Sequence, residues 1–119
     1  MRGMKMAGSI VTTALMLGCA TAGVPQERLT ASQGALRAAE AVGADKVPPA
    51  ALHLQLAREQ IDKAQEQIKA GHNAHADMTL QRAEADAELS IALAHEAPLR
   101  EQAQQAMDKL QALKSKTTP

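Results

Sequence analysis

The stretch that decides the fold is residues 74–95, AHADMTLQRAEADAELSIALAH. Alanine, leucine and glutamate are strong helix formers, and no glycine or proline interrupts the run. Apolar residues recur in it at spacings of three and four along two separate lines. One line holds Ala76, Leu80, Ala83, Ala87, Ile91 and Ala94; the other holds Ala74, Met78, Ala85, Leu89 and Ala92. At 3.6 residues per turn the centres of these lines lie well over ~100° apart. A helix with two apolar faces calls for two neighbours, so this segment is predicted to be the central helix.

Reading upstream, Leu54, Ala57, Ile61, Ala64 and Ile68 form a heptad-like seam in a helix over residues 49–70, with Leu52 and Leu56 widening its apolar face. Gly71 is expected to end that helix in the left-handed conformation, and Asn73 to cap the next one. An earlier helix over about residues 25–42 presents Leu29, Ser32, Leu36 and Ala39 inward. Gly43 is its expected C-cap, residues 44–48 a turn, and Pro49 suits the first turn of the following helix. Downstream, Pro98 kinks or breaks the central pattern. Beyond it Leu99, Ala103, Ala106, Leu110 and Leu113 repeat at four and three. This last segment either extends the central helix or folds back; the lack of a glycine or loop near Pro98 favours a kinked extension. The predicted fold is all-α: an antiparallel bundle of three helices with a fourth helix or extension after Pro98.

Composition narrows the function. The chain has 119 residues, no Phe, Tyr or Trp, and 13 basic against 13 acidic groups. Arg2 and Lys5 lie in the first 18 residues, which hold no acid, so the remainder is 11 basic against 13 acidic, a net of −2. A weakly acidic surface of mixed sign gives no electrostatic reason to bind nucleic acid. The lack of aromatic rings removes stacking platforms for bases and sugars and the usual anchors of protein interfaces.

Cys19 is the single cysteine and closes an apolar N-terminal stretch. Residues 1–18 read as a secretory signal: Arg2 and Lys5 supply a positive start, Ala7 to Leu17 an apolar run, and Gly18 a small residue before the thiol. The run falls short of the ~20 residues that a membrane-spanning helix needs. Met16-Leu17-Gly18-Cys19 resembles a bacterial lipobox, where a diacylglyceryl group joins the sulfur and the signal is then removed. Lipoboxes usually carry Leu where Met16 stands and a small residue where Leu17 stands. The alternatives are an ordinary signal cleaved near Ala22, or a free thiol beside an uncleaved anchor. A lone cysteine at a signal boundary suits an oxidising compartment poorly unless it is modified, which favours lipidation of Cys19. Two or three acyl chains hold a protein durably where one does so marginally. Ala20 follows; Asp at that place often retains Gram-negative lipoproteins at the inner membrane, so the analogy implies an outer-membrane anchor facing the periplasm.

Further segments look familiar. Ala38-Ala39-Glu40-Ala41, the run from Leu54 to Ile61, Gly71 with Ala76, Leu80 with Arg82-Ala83, and Ala85-Asp86-Ala87-Glu88-Leu89 resemble one bacterial family. It is an alanine-rich domain of unknown function, found in small lipoproteins and sometimes fused ahead of outer-membrane-protein-A-like domains. The resemblance covers about residues 28–97. It implies a helical envelope protein and carries no activity with it. Family members tend to have Asp after the glycine, where this chain has His72.

Candidate chemistry is sparse. His72, His75 and Asp77 gather at the turn before the central helix and are reasonable ligands for a divalent metal. The plainer reading is three solvated residues at a helix start, where Asp also favours the dipole. Glu84, Asp86 and Glu88 are spaced for a helix surface, with Arg82 and Asp86 forming an ion pair across one turn. His53 and His95 read as surface or packing residues. Lys109, Lys114 and Lys116 read as a solvated basic end. No cofactor or enzymatic activity is expected. The domain plan is a signal peptide over residues 1–18, a lipidated tether over 19–26, a helical domain over 27–114 and a disordered tail over 115–119. The functional expectation is a non-catalytic envelope lipoprotein that meets a protein partner, or a second copy, through its helical faces. A small periplasmic metal- or ligand-binding protein using His72, His75 and Asp77 is the alternative.

Overall fold

Two glycines turn the chain in the computed structural model, which describes residues 22–117. Cys19 and the signal-peptide reading lie outside the described residues. Gly43 (φ 74°) and Gly71 (φ 78°) carry the positive φ values that a side chain opposes. Gly43 follows α1, Gln26–Ala41, and leads into a short 3-10 turn, Ala44–Lys46. Gly71 follows α2, Pro48–Lys69, and precedes α3, Asn73–Thr117. At the second turn Gly71 N donates to Ile68 O and His72 N to Gln67 O, which satisfies the last carbonyls of α2. Pro48 and Pro49 both occupy the opening turn of α2, where a missing N–H costs nothing.

The described chain is therefore an all-α bundle of three helices, with no strand among the described residues. Short turns make α2 antiparallel to both α1 and α3. Ser32 of α1 reaches Leu80, early in α3, while Ser90, later in α3, reaches Ala50 near the start of α2.

Small side chains let the three helices meet. Ala39, Ala44, Ala50, Ala57, Ala64, Ala76, Ala83 and Ala87 are fully buried, and Leu54 and Leu80 are the two large apolar side chains buried as deeply. Alanine at a seam brings backbones close enough for a serine to bridge them. The buried Ser32 hydroxyl lies 2.8 Å from the Arg28 carbonyl in its own helix and 3.0 Å from the Leu80 carbonyl of α3. The buried Ser90 hydroxyl donates to the Ala50 carbonyl at 2.7 Å. One serine thus fastens α3 to each neighbour, and both hydroxyls escape the penalty of burial without a partner.

α3 is central, as expected, but by a different route. It packs on α1 and α2 more extensively than they pack on each other, and it does so with one line only. Ala76, Leu80, Ala83, Ala87, Ser90 and Ala94 form the buried face. Ser90 takes the place assigned to Ile91, which is half-buried beside it. The second line, Ala74, Met78, Ala85, Leu89 and Ala92, is exposed throughout. A narrow alanine stripe lets two helices straddle it, α2 on one flank and α1 on the other, so no second face is needed.

Pro98 does not break the helix. α3 runs through it for 45 residues, which makes the final segment an extension rather than a helix folded back. The proline falls just past Ala94, where the packed face ends, so its missing hydrogen bond spares the bundle. Every residue from Pro98 to Thr117 is exposed, and this segment projects roughly 30 Å at 1.5 Å per residue. The helix also continues past the expected boundary at residue 114. Ser115 donates to the Ala112 carbonyl and Thr117 to those of Leu113 and Lys114, while Lys114 and Lys116 complement the negative helix end.

The packing makes a test. Ala83→Leu should destabilise the chain by about 1–3 kcal/mol through overpacking. Gln104→Ala on the projecting segment should stay within roughly 0.5 kcal/mol. Urea unfolding followed by circular dichroism measures both.

Candidate functional site

Asn73 fixes where the chain leaves the bundle. It is the first residue of α3 rather than the cap before it: His72 O accepts the Ala76 amide, so His72 holds the capping position. The Asn73 side chain instead donates from Nδ2 to the Ala22 carbonyl at 2.8 Å. Val24 O then accepts the Gln26 amide as α1 begins. The entering segment is thereby pinned at Ala22, three residues after Cys19 in the sequence, to the α2–α3 end of the bundle. Three extended residues reach at most about 11 Å.

Beside this exit lies an open cleft of about 570 Å³, lined in part by Pro25, Arg28, Ala31, Asp77 and Glu84. Arg28 Nε donates to Asp77 at 2.9 Å, and its Nη1 lies 3.6 Å from Glu84. The Asp77 hydrogen bond raises the Arg28 pKa above its ordinary value, so the guanidinium stays charged. Asp77 also accepts from Gln81 at 2.9 Å. Its carboxylate is therefore turned towards α1 and not towards the two histidines. His72 and His75 are exposed, with ring centroids 6.2 Å apart and edges perpendicular. The three residues considered as a metal set do not converge, and no group of three such ligands forms among the described residues.

Asp86, further along α3, is likewise drawn into a contact between helices, whereas Glu96 pairs with Arg100 inside α3. Asp86 does not pair with Arg82. Its Oδ1 lies 2.8 Å from His53 Nδ1, and its Oδ2 accepts from Gln60 at 2.7 Å, both on α2. His53 and Gln60 are seven residues apart and share one helix face, so one carboxylate can bridge them. Sequence spacing shows that shared face but not the partner opposite, which is why the reading within one helix chose Arg82. Arg58 of α2 similarly grips Glu40 of α1 at 2.6 Å.

The remaining feature is apolar and exposed. Along α3, Met78, Ala85, Leu89, Ala92, Leu99, Ala103, Ala106, Leu110 and Leu113 fall on one heptad line, interrupted by Arg82 and Glu96. The uncovered line of the bundle and the seam of the projecting segment are one heptad line, which winds slowly around the helix by roughly 20° per heptad. Met78 is 54% exposed, Leu89 43%, Leu99 63%, Leu110 59% and Leu113 60%. An exposed apolar line of this length is uncommon on a protein surface. No helix among the described residues is long and apolar enough to cross a membrane.

A family model described as a domain of unknown function, DUF4398, matches residues 27–115. The match begins at α1 and includes most of the projecting segment, beyond the residue-97 limit of the resemblance seen in sequence. No curated protein and no solved structure matches the chain.

Asp86→Ala should cost about 1–3 kcal/mol, because it leaves His53 and Gln60 half-buried without their shared acceptor. Arg82→Ala should change stability by less than roughly 0.5 kcal/mol. Equal losses in chemical denaturation would instead place the ion pair within α3.

Proposed function

We propose that this chain, which belongs to the domain-of-unknown-function family DUF4398, is a bacterial envelope lipoprotein that acts by holding and docking rather than by catalysis. The observation that carries the reading is Cys19, the one thiol, placed directly after a positive start, a short apolar run and Gly18. Acylation there moors the amino end, and Ala20 after the cysteine directs it to the outer membrane with the helical body in the periplasm.

The geometry supports this use of the chain. Asn73 ties Ala22 to the α2–α3 end of the bundle, so a membrane attachment at Cys19 holds that end close to the lipid headgroups. From it α3 carries its exposed stripe to an end about 65 Å away along the helix. The acidic residues that could do chemistry are instead cross-helix struts: Asp77 and Glu84 on Arg28, Asp86 on His53 and Gln60. A moored helix with an open apolar line is suited to binding another helix.

Metabolic labelling with a palmitate analogue tests the anchor. The expected mature product begins at Cys19, carries acyl chains and sediments with membranes, and Cys19→Ser abolishes both labelling and sedimentation. A mature chain with a free thiol, or one starting after residue 19, contradicts the proposal.

A further inference from the structure

We infer that the exposed stripe of α3 is covered by the same stripe of a second copy, the two helices running antiparallel about a two-fold axis near Ala94. This deepens the docking role proposed above by naming the partner. It rests on register, charge and area.

Register comes first. The stripe extends from Met78 to Leu113, and its centre falls near the midpoint of α3, His95, within Asn73–Thr117. An antiparallel copy therefore overlaps nearly the whole helix. Antiparallel layers set a positions against d positions of the partner. Leu99 then lies opposite Leu89 of the second copy, Leu110 opposite Met78, and Ala103 opposite Ala85. In these three layers residues of like size meet, and Leu113 lies opposite the exposed His75.

The two charged interruptions decide the direction. In a parallel pair Arg82 would face its own copy, and so would Glu96. In the antiparallel register Arg82 lies opposite Ala106 and Glu96 opposite Ala92, small residues past which a long side chain can reach water. Lys109 and Lys116 line the same edge of the projecting segment. In the register about Ala94, Lys109 falls level with Thr79 of the second copy, between its Asp77 and Glu84, and Lys116 falls level with His72. A parallel pair would set Lys109 beside Lys114 of its partner instead. The charge totals agree: residues 99–117 hold four basic and two acidic groups, whereas 27–98 hold seven basic and eleven acidic.

Area is sufficient. Met78, Leu89, Leu99, Leu110 and Leu113 on the stripe, and Met107 flanking it, are 43–64% exposed. At roughly 100 Å² for each, with about half that for each alanine of the stripe, a copy contributes on the order of 800 Å², the size of a standard stable interface. The face is open on both halves of the helix, since every residue of the stripe is exposed. With an anchor at each end of the pair, the joined helices would lie along the bilayer.

Disulfide trapping in cells making the full chain tests the pairing. The double variant Leu89→Cys/Leu99→Cys should form a covalent dimer on mild oxidation. Leu89→Cys and Leu99→Cys alone should stay monomeric, because each residue sits about 15 Å along the axis from its own counterpart. Adding Leu110→Glu, at an exposed site that leaves the bundle intact, should reduce the double variant's dimer at least tenfold. A dimer from Leu99→Cys alone, or none from the pair, overturns the inference. The unmodified chain, treated in parallel with a thiol reagent, reports whether Cys19 is free, so failure of the anchor is read separately from failure of the dimer.

Discussion

Close approach of three helices along a seam of alanines is the constraint on which the rest of the structure depends. Where side chains are this small, little apolar area is buried per residue, and backbone proximity does the fastening instead. Ser32 and Ser90 bridge to carbonyls of neighbouring helices because alanine lets those carbonyls come within 3.0 Å. The same narrow seam allows α1 and α2 to straddle one line of α3. It therefore leaves the other line, with its leucines and methionines, facing outward. The unpartnered stripe follows from how the core is built.

Much of the fold was legible from residue spacing. The inward lines of α1 and α2 are buried or half-buried as read, except that Leu52, read as widening the face of α2, is 57% exposed; Gly43 and Gly71 adopt positive φ, and the last segment extends α3. These features are local or periodic, so one helix at a time reveals them. What stayed hidden depends on the neighbour. Ser90 rather than Ile91 faces inward because the Ala50 carbonyl lies opposite it. Asp86 turns to His53 and Gln60, and Asp77 to Arg28, because α2 and α1 present those groups. Asn73 works as a clamp on Ala22 rather than as a cap, a contact between residues 51 apart. Periodicity found both lines of α3 but could not tell which one the bundle would use.

The candidate site was legible in a different proportion. The lipobox-like motif at Cys19 was read from sequence and lies outside the described residues. The metal set of His72, His75 and Asp77 looked plausible by nearness in the chain, and the Arg28 guanidinium draws its carboxylate away. The long stripe was present in the sequence as two separate patterns on either side of Pro98. A helix running through the proline makes them one continuous line, which starts beside the bundle and runs on beyond it.

Hydrogen exchange along α3, measured at a dilution where single copies prevail, tests the central claim most directly. If one alanine line alone holds α3 to its neighbours, amides over residues 76–94 exchange slowly and those over 98–117 exchange orders of magnitude faster. Equal protection on both sides of Pro98 at that dilution would mean that the second half of the helix packs within its own chain, and would contradict the account.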